Sequence, residues 1–137
     1  MADPYKSESE IENVVRGFES CTIGKDDFSH RDHLAVAVWY LRLDQRRAAD
    51  LMRKSLHRFL DHYDCRGNYH ETLTIFWIEV VRRALEAMAP GQSLLEATNA
   101  VVTHLGDSRL AFEYYSKELV GSETAKKGWV EPDLKSI

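Results

Sequence analysis

Six of the 137 residues are histidine, and the spacing of three of them poses the chemical question. His30 and His33 stand three apart in Phe28-Ser29-His30-Arg31-Asp32-His33, and His70 is followed by an acid in Asn68-Tyr69-His70-Glu71-Thr72. Imidazole with a carboxylate is a donor set that zinc and iron accept, and an i, i+3 pair on a helix points to one side. His30, His33, His70 and Glu71 therefore read as ligands of a divalent transition metal (Fe or Zn), with a coordination position left for water or substrate. Glu71, His70 and His33 would also carry the chemistry, the metal polarising an oxygen or activating water while one of these side chains moves the proton. Tyr69, Arg31, Tyr40 and Trp77 are candidates to bind the substrate, together with Arg66, Tyr114 and Tyr115. Asp32, Asp61 or Asp64 could orient a ligating ring through its second nitrogen.

Each of these residues also has a plainer use. A helix-start histidine can simply face water, and a buried one only needs hydrogen-bond partners. Glu71 can answer the helix dipole as a first-turn acid, while His57, His62 and His104 suit helix C-terminal ends.

The tetrad requires two helix starts at one end of a bundle. Apolar residues at Ile11, Val14, Val15 and Phe18 mark a first amphipathic helix, ended by Gly24 and Lys25-Asp26-Asp27. Ser29 with Asp32 makes an acidic capping box for a second helix, whose run Leu34 to Leu41 implies burial on most sides. Asp44 is the expected cap of a third, which carries Leu51, Met52, Leu56, Phe59 and Leu60. Gly67 is expected to take the left-handed conformation in the turn that follows. A fourth helix is expected from about Tyr69 to Met88, with Thr72 facing water, and a fifth from Ser93 to Leu105. Asp107 opens a short sixth helix holding Phe112, Tyr115 and Leu119. The arms, residues 1–9 and 121–137, are peripheral, the second lying extended over the bundle and pinned by the Trp129 indole. No strand pattern is found, so the fold class is all-α: one domain over 1–137, an up-down bundle of five to six helices with an extended C-terminal tail. Short connections imply antiparallel neighbours, which places all six histidines in one half of the molecule.

A net charge of −4 and a pI near 5.8, with no basic run, argue against nucleic acid as a partner. No apolar stretch is long enough for a membrane span, no signal-peptide pattern leads the chain, and Cys21 and Cys65 form no disulfide framework. The expected compartment is the cytoplasm, and a homodimer through an apolar helix face is conceivable from the pattern. HExxH, Walker, GxGxxG and EF-hand motifs are absent, and Cys65 beside His57 or His62 has no nucleophile signature.

Three histidines gathered from two helices at one end resemble, in architecture alone, the DinB-like thiol transferases and hydrolases, although their paired ligands are usually i, i+4 on a later helix. The first expectation is thus a small metal-dependent enzyme, hydrolase or oxygenase in type, acting on a small molecule. One alternative is a metal-free acid/base enzyme using His33, His70 and Glu71 in a pocket lined by Trp77 and Tyr40. The other is a non-enzymatic helical module that binds a partner chain and uses its histidines to sense pH.

Overall fold

A computed structural model describes residues 3–137; Met1 and Ala2, the start of the first arm, lie outside the described residues. The chain forms α1 (Glu8–Glu19), α2 (His30–Leu43), α3 (Ala48–His62), α4 (Glu71–Glu86), α5 (Leu94–Leu105), α6 (Ala111–Tyr114), α7 (Lys117–Val120) and α8 (Glu123–Lys127). Short 3-10 turns at Arg66–Asn68 and Ser108–Leu110 precede α4 and α6. No strand occurs among the described residues, so the all-α expectation holds, with more and shorter helices than the five or six expected.

The organising element is α2. Its capping box forms as the sequence implies: the Ser29 hydroxyl accepts from the Asp32 backbone N–H, and the Asp32 carboxylate accepts from that of Ser29. Leu34, Ala35, Val36, Ala37, Val38, Tyr40 and Leu41 are buried because α2 is enclosed by α1, α3, α4 and α5. Phe18 stacks on Phe28 at 4.4 Å between ring centres and both lean on Phe59, closing α1 and the α1–α2 connection over α3. Each such ring pair contributes about 0.5–1.5 kcal/mol beyond area burial. Around Phe76, Trp77, Tyr114 and Tyr115 a second aromatic group ties α4 to the C-terminal segment.

The topology brings the expected ends together. His30 reaches the Leu105 carbonyl at the end of α5, and the Tyr63 hydroxyl, just past α3, donates to the Ile23 carbonyl at 2.5 Å. The first helix departs from the antiparallel rule. Tyr5, before α1, bonds Asp32, and Glu19, at its end, accepts from Tyr40, so contacts fall in the same order along α1 and α2. The ten residues between the two helices provide the return that this needs.

Local expectations changed where one residue was claimed by two elements. Asp44 ends α2 rather than capping α3: its N–H bonds the Tyr40 carbonyl and its carboxylate takes the Arg46 N–H. Gly67 sits inside the 3-10 turn, and the left-handed residue after α3 is Asp64, at φ 57°. Aspartate tolerates that region better than most side chains. Thr72 is fully buried rather than solvent-facing, because the tail crosses over it. That tail is helical over Glu123–Lys127, and Ala125 and the Val130 backbone fasten it, while Trp129 remains partly exposed.

Candidate functional site

His30 and His33 do share the first turn of α2. His30 donates from Nε2 to the Leu105 carbonyl at 3.0 Å, which fixes the tautomer, and its ring meets Trp77 edge-on at 4.5 Å. Burial holds its pKa below the usual histidine value, opposed by the Leu105 carbonyl and Asp107. His33 lies 6.3 Å from the Phe28 ring and has no side-chain hydrogen bond among the described residues. Burial first, and then the neighbouring His30 ring, push its pKa down to about 4. Both imidazoles are therefore neutral at pH 7.

His70 is engaged elsewhere. It is the N-cap of α4, which starts at Glu71 and not at about Tyr69, so its ring caps the helix instead of projecting from it. Nδ1 accepts from the Leu73 N–H at 3.1 Å and Nε2 donates to the Val120 carbonyl at 2.7 Å. Both nitrogens are satisfied within the fold.

Glu71 turns to a third environment. Arg53 of α3 grips its carboxylate at two points, and the Tyr69 hydroxyl donates to Oε1 at 2.5 Å. The Arg53 hydrogen bonds, more than the Tyr69 hydroxyl and the nearby His57, hold Glu71 below the usual carboxylate range. A carboxylate stabilised in this way is a weak base. His30, His33, His70 and Glu71 consequently do not assemble into a ligand set. Among the described residues no group of three or more His, Cys, Asp or Glu side chains is arranged to hold a metal ion.

The proposed substrate residues are dispersed as well. Arg31 covers the Tyr5 ring at 4.2 Å, Tyr40 is buried with its hydroxyl on Glu19 and Ser55, and Trp77 is a core residue. His62 packs on Tyr63, and His104 lines a separate hollow at the end of α5. Of the four, Tyr69 alone faces a cleft shared with another proposed residue, Glu71.

That cleft, of about 640 Å³, lies between α3, the 66–69 turn, the start of α4 and α8. Arg53 and His57 come from α3, Arg66, Gly67 and Tyr69 from the turn, Glu71 from α4, and Glu123, Lys126 and Lys127 from α8. The walls carry four permanent cations against two carboxylates, in a protein whose net charge is −4. Arg53 is committed to Glu71 and Asp50, Arg66 pairs with Asp61, and Lys127 stands 3.7 Å from Glu123. Lys126 forms no ion pair or side-chain hydrogen bond among the described residues, although it is partly buried. His57 stacks on Tyr69 at 4.0 Å and 28°. Burial and the bond to Glu71 raise the Tyr69 hydroxyl to about 12, so it stays protonated and keeps the carboxylate oriented.

The α8 wall is clasped to the first turn of α4. His70 holds the Val120 carbonyl before it, and the Thr72 hydroxyl donates to Gly128 and accepts from the Val130 N–H after it. A side-chain cap, Ser122 to the Ala125 N–H, starts the helix, and Ala125 is fully buried beneath it. Sequence reasoning missed Arg53, Glu123, Lys126 and Lys127 as site residues. Ser122 before Glu123, with the Lys126-Lys127 pair, is the local signal of a short capped helix where an extended tail is expected from the sequence, but nothing local says which face of the bundle it covers.

No protein-family model, curated protein or solved structure matches this chain.

Proposed function

We propose that the protein binds a small anionic molecule in the cleft between α3, α4 and α8. One observation carries this reading: Lys126 is partly buried on a cleft wall shared with Arg66 and Lys127, and has no anionic partner of its own among the described residues. An ammonium held in a concave site without a counter-charge favours a phosphate or carboxylate. The size of the cleft suits a small molecule. Arg53 and Glu71 act as the rigid floor, since their charges are spent on each other. Binding, rather than acid/base turnover, fits a Glu71 whose proton affinity is reduced.

The test is thermal unfolding with inorganic phosphate against sodium chloride at equal ionic strength. Phosphate at about ten times its Kd stabilises by about 1.4 kcal/mol, a rise of a few degrees in Tm. The double variant Lys126→Glu, Lys127→Glu should remain folded and lose the rise. An equal rise in the variant, or none in the parent protein, overturns the proposal.

A further inference from the structure

Beside its cations the cleft holds a feature that a bare anion does not need. The His57 and Tyr69 rings are stacked at 4.0 Å with 28° between their planes, and His57 is an exposed residue. Tyr69 is restrained by its hydroxyl on Glu71, so one ring of the pair is held in place. Arg66, Lys126 and Lys127 border the same cleft from the turn and from α8. Gly67, between Arg66 and Asn68 in the turn, has open space where a Cβ would be.

From this juxtaposition we infer that the ligand is a planar aromatic ring carrying a phosphate, of the nucleoside monophosphate class. The base extends the His57–Tyr69 stack and the phosphate meets Lys126 and Lys127. This rests on the anion-binding reading and adds the ring to it. Stacking on an aromatic face is tolerant of base identity, because every base offers a π surface. Stacking alone does not distinguish one base from another, so the class is assigned and not the base. The cleft of about 640 Å³ is large enough for both parts.

The experiment uses the full chain and three probes: adenosine 5′-monophosphate, adenosine and inorganic phosphate, each titrated by NMR and calorimetry. The monophosphate should bind about tenfold or more tighter than phosphate, as base stacking typically contributes. Its ring protons and those of His57 should shift upfield together. His57→Ala should reduce the monophosphate to the affinity that phosphate shows for the same variant, while His57→Phe should retain the preference. His57 is exposed, so both variants should fold as the parent does. If phosphate and the monophosphate bind alike, or His57→Ala changes neither, the ring assignment fails and anion binding stands. If none of the three probes binds, both fail.

Discussion

The guanidinium of Arg53 meets the carboxylate of Glu71 through two hydrogen bonds, Nε to Oε1 at 2.9 Å and Nη2 to Oε2 at 2.7 Å. This two-point contact joins α3 to the first residue of α4 and forms the floor of the cleft. Planar bidentate pairs are the stronger kind of ion pair, and this one is only partly open to water. Arg53→Ala should therefore cost about 2 kcal/mol in urea unfolding, more than Arg53→Lys, which keeps the charge without the second bond. A loss below about 0.5 kcal/mol would class the pair with ordinary surface bridges.

Acid should destabilise the protein in two separate ranges. The folded pKa of His33, about 4, lies below its usual 6.5, so the unfolded chain takes up a proton first as pH falls. Stability contributed by the neutral ring is complete above pH 6.5 and is lost between there and about 4, by at most roughly 3 kcal/mol. His30, lowered in the same direction, adds to the slope. Glu79 has the opposite origin: its bonds to Arg82 and then Arg83 bring it down to about 2, so its contribution is lost only below the usual carboxylate range. Urea titrations from pH 7.5 to 4.5 should show the first loss, and His33→Phe should flatten it. An unchanged slope in that variant contradicts the assignment to His33.

Thr72 should matter more than an exposed threonine would. Thr72→Val keeps the shape but leaves the Gly128 carbonyl and the Val130 N–H without their partner, at a cost of about 2 kcal/mol. The amide of Val130 should lose hydrogen-exchange protection, and phosphate should bind less well because α8 is no longer fastened. Full protection at Val130 in the variant would show that the hydroxyl does not hold the tail.

Much of this fold is legible in the chain, and the site much less so. Ser29 and Asp32 announce the start of α2, because a capping box is a local interaction within four residues; the structure shows a second such box at Ser93 and Glu96 of α5. The run from Leu34 to Leu41 correctly implies a helix surrounded by others. Asp44 and His70 were misplaced by one element boundary each, and for His70 that error reoriented the ring. Arg53 with Glu71, and Thr72 with Gly128, are contacts across 18 and 56 residues. Nothing in local spacing encodes them, so the cleft emerges only when α8 is set against α4.

Added zinc or ferrous iron should leave the Tm of tag-free protein unchanged, since His70 uses both ring nitrogens and Glu71 is held by Arg53. A rise of several degrees that His70→Ala abolishes would instead restore the four-ligand site suggested by the histidine spacing.

Amide chemical-shift mapping with inorganic phosphate tests the central claim most directly. Saturable shifts should concentrate at Arg66, Gly67, Lys126 and Lys127, and spread to Arg53 and Glu71 on the cleft floor. Shifts that are absent, or that scatter over Arg42, Arg46 and Arg82 on the other arginine-lined surface, would contradict it.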